Sequence, residues 1–247
     1  MKRQRENVFF SKVMSGFVLA IVLTAIVGLM AGSVSPAHAR NSNPGVMPPN
    51  SHTHGMTYAE WSARWWQWAL SLPADQNPFF DVDGSCSNGA NGQLGPVWFL
   101  TGVISVSGTA ERDCTVPAGK ALFFPLINTE CSTLEADPFH GDNEAELRAC
   151  VEDPLFELGN VFAEIDGVAV QNLERYLVES PLFTFTVPPE NVLGVDPGTG
   201  QSVSRGYHLM VAPLSVGEHV IRFGGTFTDF NFTLDITYNL TVVPGRP

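Results

Sequence analysis

The clearest pattern of apolar and polar positions lies between Tyr58 and Leu72, where the sequence reads YAEWSARWWQWALSL. Four apolar residues recur there at helical spacing and share one face, namely Trp61, Trp65, Trp68 and Leu72. Thr57 and Glu60 have the spacing of a capping box, and Pro73 follows the last turn. The pattern therefore predicts a helix that docks on a sheet through its aromatic face.

From Val97 onward the pattern changes to short β-branched and aromatic runs separated by Gly and Pro, which is typical of antiparallel sheets. Eight strands are predicted, at Val97–Val106, Lys120–Ile127, Val161–Ile165, Val168–Leu173, Phe183–Val187, Tyr207–Ala212, His219–Phe227 and Leu234–Val243. The last run alternates apolar and polar residues, so one of its faces should be buried and the other wet. We expect a mainly β fold, an antiparallel β-sandwich of immunoglobulin-like or jelly-roll-like type, with the tryptophan helix packed on or beside it.

A second, shorter helix is predicted at Glu144–Val151, because Asn143 can cap it and Glu146 stands at the third helical position. The connection that precedes this helix is the densest group of ionisable residues in the chain: Glu130, Glu135, Asp137, His140, Asp142 and Glu144. The simplest interpretation is a solvated loop. An enzymatic interpretation takes Glu130, His140, Asp142 and Glu144 as candidate catalytic or metal-site residues, with His208 as a second histidine.

The first 39 residues predict a secretory signal peptide. Four basic side chains and one acid are followed by a long apolar run and then by Ala37-His38-Ala39, an A-x-A cleavage site. The alternative is an uncleaved membrane anchor, because the apolar run is long enough to span a bilayer. We therefore expect a secreted or periplasmic protein, with a flexible linker at 40–56 and a single domain at 57–247.

Charge narrows the choice of partners. The whole chain has 13 basic and 25 acidic residues; residues 1–39 hold four and one of these, so the remainder has nine and 24. A surface this acidic repels phosphate groups, so nucleic acids and anionic membranes are excluded as preferred partners. Neutral ligands, such as an extracellular glycan or another envelope component, and metal cations are favoured instead.

The cysteines fit an oxidising compartment. All four follow the predicted signal peptide, and an even number there indicates two disulfides. Three pairings are available; we favour Cys86 with Cys114 and Cys131 with Cys150, because sequential pairing closes two short loops. The chain lacks a C-x-x-C motif, which argues against a zinc ribbon or a redox site.

One segment resembles the start of a calcium loop. The sequence DVDGS at 81–85 carries oxygen-bearing side chains at alternate positions. An EF-hand would need glycine in place of Cys86 and glutamate in place of Gly92, so this class of site is excluded. Asp81 and Asp83 remain candidate ligands of another type of calcium site, and the alternative is a loop closed by Asx turns.

Two classes of function follow. The first is a non-enzymatic binding or envelope-associated module for a glycan or another extracytoplasmic ligand, with Trp61, Trp66 and Trp98 as candidate ligand-binding residues, since aromatic rings stack on flat ligands. The second is a glycosidase-like hydrolase that uses two carboxyl groups of the Glu130 to Glu144 connection, which would have to lie within about 10 Å of each other. The common nucleophile, zinc and nucleotide motifs are absent from the sequence.

Four stretches carry a resemblance to known proteins: WSARWWQWALSLP, GPVWFLTG, CTVPAGKALFFPLINTEC and the C-terminal LSVGEHVIRFGGTFTDFNFTLDITYNLTV. They resemble a group of exported bacterial proteins with a tryptophan-rich N-terminal helix and a β-sandwich-like body. The last two strands are also similar to the final hairpin of immunoglobulin-like domains. Neither resemblance implies an activity, a ligand or a catalytic residue.

Overall fold

The structure is a computed structural model that describes residues 43–82, 84–104, 108–229 and 231–245, all within one compact unit, Ala39–Pro247. The predicted signal peptide lies outside the described residues. The two α-helices of this part are α1 (Tyr58–Leu70) and α2 (Glu144–Val151). Its strands are β1 (Val97–Phe99), β2 (Gly108–Pro117), β3 (Ala121–Ser132), β4 (Leu158–Ile165), β5 (Val168–Ala169), β6 (Leu177–Glu179), β7 (Phe183–Val187), β8 (Gly198–Val211), β9 (Gly217–Phe227) and β10 (Phe232–Val243). The expectation of a mainly β fold is confirmed.

The strands form two sheets. The first has the order β1-β3-β8-β6, with β7 also pairing β8, and the second has the order β2-β10-β9-β4-β5. Both sheets are mixed, because β1 pairs with β3 in parallel and β2 pairs with β10 in parallel. The other strand pairs are antiparallel, so the expected antiparallel arrangement holds for most of the strands but not for β1 and β2. Consecutive strands β2 and β3 belong to different sheets, so β2 takes its partner from the far end of the chain.

The strand boundaries differ from the predicted ones where polar residues are buried. Strand β3 continues past Ile127 to Ser132, although the added residues include Asn128 and Glu130. Strand β2 was not predicted, because three consecutive charged residues, Glu111 to Asp113, interrupt its apolar positions. The run predicted from Val97 ends as a strand at Phe99. Burial of a polar residue depends on a partner elsewhere in the fold, which the local pattern does not contain.

Helix α1 forms where it was predicted, and the Thr57–Glu60 capping box is present at its start. It lies on the first sheet, where its aromatic face is buried. The segment before it is not a free linker: Asn43 exchanges hydrogen bonds with Gln171, and Thr53 accepts one from the Trp61 indole. These hydrogen bonds join parts of the segment 43–56 to the domain.

Two disulfides join the loops to this framework, and they have the predicted pairing. Cys86 with Cys114 attaches the loop after α1 to β2, and Cys131 with Cys150 attaches β3 to α2. Among the described residues, no helix is long and apolar enough to cross a lipid bilayer.

Candidate functional site

A cavity of about 400 Å³ runs along one edge of β3. Strand β1 pairs with β3 only as far as Phe123, and the next pairing on that side is the bridge between Ser132 and His140. Between these points β3 has no neighbouring strand on that side among the described residues, and all residues from Pro125 to Glu130 line the cavity. Proline suits this position because it has no backbone N–H to leave unpaired.

The wall of this cavity is mainly apolar. Helix α1 contributes Trp65, Trp66 and Leu70, and the connection after β1 contributes Val103. The second sheet and the connections around α2 add a group of aromatic rings, which are Phe139, Phe156, Phe227 and Phe232. A cavity of this size and composition is typical of small-molecule sites in proteins.

The orientation of α1 brings Trp66 to the polar end of the cavity. The helix runs antiparallel to β8: the Tyr58 hydroxyl accepts a hydrogen bond from Met210 N at 3.1 Å, and Ser62 Oγ lies 2.8 Å from Ser204 Oγ. Ser204 is the β8 partner of Glu130 on β3. Trp66 lies one helical turn beyond Ser62, and it lines the same cavity as Glu130.

Two carboxyl groups meet at this end. Glu130 is only 5% exposed, and its Oε2 accepts a hydrogen bond from Ser202 Oγ. Glu135, which is half-buried, accepts one from Ser132 Oγ at 2.8 Å and is within hydrogen-bonding reach of Glu130. Burial, followed by repulsion from Glu135, holds the pKa of Glu130 well above its usual range, and burial also raises the pKa of Glu135. The pair therefore retains a proton under conditions in which exposed glutamates are ionised.

Five side chains present buried polar atoms that have no donor or acceptor partner assigned in the described residues. Three of them line the cavity, through Trp66 Nε1, Asn128 Nδ2 and Glu130 Oε1, whereas His140 and His208 do not. The proton of the carboxyl pair can join Glu130 Oε1 to Glu135, whereas Trp66 Nε1 and Asn128 Nδ2 are donors for which the described residues supply no acceptor. Buried polar atoms of this kind are uncommon in folded proteins, so their presence on one wall indicates a site.

The three predicted ligand-binding tryptophans do not form one surface. Trp61 is 8% exposed, its indole N–H donates to Thr53 O, and its ring packs edge-on against Phe99. Trp98 is half-buried on β1 and does not line the cavity. Only Trp66 borders a space that a ligand can enter.

The predicted catalytic residues also separate. Of the four, Glu130 lines the cavity, whereas His140 contacts Asp142 at 3.1 Å near the surface. Glu144 forms an i,i+4 ion pair with Arg148 on α2. His208 is fully buried, stacks on Phe123 and does not line the cavity.

The carboxylate of Asp81 is used by its own loop. It is 4% exposed and accepts hydrogen bonds from Ser87 Oγ, Asn88 N and Asn88 Nδ2 at 2.9–3.3 Å. Asp83, the second predicted calcium ligand, lies outside the described residues. Within the described ranges, no three acidic, histidine or cysteine side chains are grouped to hold a metal ion.

Sequence reasoning did not select Asn128, Ser202 or, from within the acidic connection, Glu135 as site residues. One signal was present: in ALFFPLINTEC, Asn128 and Glu130 stand two apart after an apolar run, the spacing that puts both on one side of a strand. Polar residues that continue a buried strand need partners, and here Ser202 supplies one from β8.

The chain matches no protein-family model, and no curated protein or solved structure matches it significantly. The fold and the site together define a disulfide-linked, mainly β protein with a cavity that is apolar along most of its wall and has a carboxyl pair at its polar end.

Proposed function

We propose that this chain is an extracytoplasmic binding protein whose ligand is a small, uncharged, mainly apolar molecule with a hydrogen-bond acceptor at one end. The cavity carries the proposal, because its apolar wall holds the unpartnered N–H groups of Trp66 and Asn128. A buried polar group without a partner costs about 1–3 kcal/mol. A ligand that accepts hydrogen bonds from these donors removes that cost, so binding is favoured. The two disulfides support the extracytoplasmic location.

The charges around the polar end select an uncharged ligand. The carboxyl pair of Glu130 and Glu135 repels an anionic head group, and the two unpartnered N–H donors need an acceptor, which an ammonium group does not have. A carbonyl or ether oxygen fits these donors. A glycan fits less well, because each sugar ring carries several hydroxyl groups and most of the wall offers them no partner.

We also propose that the two sheets stack as a β-sandwich-like body. Phe124 on β3 and Phe223 on β9 support this arrangement, since both are fully buried and their ring centroids are 4.8 Å apart. The cavity would then lie where β3 has no neighbour within its own sheet.

The binding proposal can be tested with Prodan, a neutral naphthalene with a single ketone, whose emission shifts to the blue in an apolar site. We expect saturable binding to the purified protein. Leu193→Trp, which places a large ring at the cavity wall, should weaken binding at least about tenfold. Val216→Trp is the matched control, because Val216 is 58% exposed and does not line the cavity; its affinity should stay within about twofold.

Two results would contradict the proposal. Prodan binding that does not saturate, or that is unchanged in Leu193→Trp, would show that the cavity is not the binding site. Displacement of Prodan by soluble polysaccharides, but not by small apolar ketones and ethers, would replace the proposed ligand class with glycans.

A further inference from the structure

We infer that the carboxyl pair of Glu130 and Glu135 makes this cavity a hydrolytic site for small, apolar carboxylic esters. The inference rests on the proposed binding function, and it adds a chemical step to it. Esters meet the requirements set by the wall: they are uncharged, they have an apolar chain or ring, and their carbonyl oxygen accepts hydrogen bonds.

The contact between the two carboxyl groups points to acyl chemistry. Retaining glycosidases keep their carboxyl groups about 5 Å apart and inverting ones about 6.5–9.5 Å apart, which leaves room for the sugar or for a water molecule. Glu130 and Glu135 both line the cavity and interact through a side-chain hydrogen bond, which brings their carboxyl groups nearer than either arrangement. Carboxyl groups in direct contact share one proton, as the two aspartates of aspartic proteases do when they hydrolyse a carbonyl compound.

No lysine or arginine pairs with either glutamate in the described residues, and His140 is a titratable neighbour of Glu135 whose positive charge, when protonated, favours the ionised form of that carboxyl. Neither glutamate takes part in an ion pair in the described part of the chain. Each instead receives a hydrogen bond from a serine, Ser202 for Glu130 and Ser132 for Glu135. These two serines hold the carboxyl groups in place and leave the shared proton available for transfer.

An independent observation shows that the pair faces a ligand space. Trp66 belongs to α1 and not to the acidic connection, it is only 8% exposed, and its Nε1 has no acceptor in the described residues although the residue lines the same cavity. Asn128 Nδ2 is a second such donor, two residues before Glu130. Donors of this type stabilise the negative charge that forms on the oxygen of an ester carbonyl under attack.

The reaction needs only water as co-reactant. The ionised member of the pair removes a proton from water while the water oxygen forms a bond to the carbonyl carbon. The tetrahedral intermediate then breaks the bond between carbon and the alcohol oxygen, and the protonated member gives its proton to that oxygen. The pair begins and ends with one proton, and the products are a carboxylic acid and an alcohol.

The test measures release of p-nitrophenol from p-nitrophenyl butyrate by the wild type, Glu130→Gln, Glu135→Gln and Glu144→Gln, prepared in parallel. Glu144 is the matched control, since it belongs to the same acidic segment but pairs with Arg148 outside the cavity. We expect both pair variants to lose at least about 100-fold in kcat/KM, the usual contribution of an acid or base. Glu144→Gln should stay within about twofold. The wild-type rate should rise and then fall with pH, because one member must be ionised and the other protonated.

Prodan binding by the same proteins separates the inference from the proposed function. If the pair variants bind Prodan normally but do not hydrolyse the ester, the lost step is chemical, as inferred. If wild type binds Prodan but hydrolyses the ester no faster than buffer, or if Glu130→Gln is as active as wild type, the hydrolytic inference is wrong and the binding function stands. If wild type does not bind Prodan, the proposed function itself fails.

Discussion

The fold contains two buried polar centres, one around Arg112 and the other around Glu130, and they differ in how completely their hydrogen bonds are made. Arg112, on β2, is fully buried. Its guanidinium donates to five oxygen-bearing neighbours at 2.6–3.1 Å: the carbonyls of Pro78, Asp81 and Gly102, the carbonyl and hydroxyl of Thr101, and the hydroxyl of Tyr238. Glu130, in contrast, lies beside two N–H donors that have no acceptor in the described residues.

Whether the hydrogen bonds of a buried centre are complete indicates whether that centre stabilises the fold or binds a ligand. A buried charge whose hydrogen bonds are all made inside the protein has nothing left to offer a ligand, so Arg112 fastens the loops around Asp81 and Thr101 to the second sheet. Buried N–H donors without acceptors, such as those of Trp66 and Asn128, lower the stability of the free protein. A ligand that accepts their hydrogen bonds recovers this free energy on binding. The first centre should therefore control stability, and the second should control binding.

The largest effect is expected at the first centre. Arg112→Met keeps most of the side-chain length but removes all the guanidinium N–H donors from this network. We expect a loss of about 3–5 kcal/mol in the free energy of unfolding, as when one partner of a buried charged network is removed. Urea unfolding measures this loss. Arg222→Met is the control, because Arg222 makes an exposed pair with Asp235 and its removal should leave the urea midpoint nearly unchanged. A similar midpoint shift in both variants would show that the buried network of Arg112 contributes no more to stability than an exposed ion pair does.

His208 sharpens the comparison, since its Nε2 is buried without a partner in the described residues, yet His208 does not line the cavity that Glu130 lines. Burial lowers its pKa to about 4. A depressed histidine pKa means that the unfolded chain binds the proton more readily, so stability is full above about pH 6.5 and is lost as pH falls towards 4. The difference corresponds to about 3 kcal/mol.

Urea midpoints at pH 4 to 7 test this assignment. Because a phenyl ring can keep the stacking on Phe123, His208→Phe should fold, and its midpoint should lack the component that falls between pH 6.5 and 4. If wild type and variant lose the same stability in this window, His208 is not the residue responsible.

The sequence predicted the parts of this fold that depend on local signals. Helix α1 has its cap, its period and its stop within residues 57–73, and it forms there with an end at Leu70. The acidity of the connection also made Glu130 a candidate. Its role as a buried residue could not be predicted, because its partner Ser202 is 72 residues away on β8.

The site was only partly predictable for the same reason. Trp66 stood out as a ring beside the main aromatic stripe, but its approach to Glu130 depends on how α1 lies across β8. The cavity itself depends on β1 ending at Phe99 while β3 continues, and strand pairing of this kind is decided by tertiary packing. Polar residues inside an apolar run, such as Asn128, are the local sign that such packing exists.

A smaller effect is expected for Glu130→Gln on stability. The raised pKa of Glu130 means that the folded state holds its proton more tightly than the unfolded chain does, so this group contributes stability at low pH that is lost as pH rises through its folded pKa. Because glutamine does not ionise, Glu130→Gln does not lose stability as pH rises through the pKa of Glu130. At pH 8 the variant should be more stable than wild type by about 1 kcal/mol, the scale of one buried hydrogen bond, and near pH 4 the advantage should vanish. Thermal melts at both pH values measure this difference. If the variant is less stable than wild type at pH 8, Glu130 stabilises the fold through completed hydrogen bonds, as Arg112 does.

The smallest effect on the fold, and the most specific to the site, is expected for Trp66→Phe. Phenylalanine keeps an aromatic ring against Trp65 and Phe79 but removes the indole N–H, which bonds to no acceptor in the described residues. The unfolding midpoint should therefore move little, whereas Prodan affinity should fall about five- to tenfold, the value of one hydrogen bond. Trp65→Phe is the opposite control, because the Trp65 indole N–H donates to Leu100 O at 2.9 Å: stability should fall, and binding should change less. If Trp66→Phe weakens the fold as much as Trp65→Phe does and leaves Prodan affinity intact, the unpartnered indole does not contact the ligand.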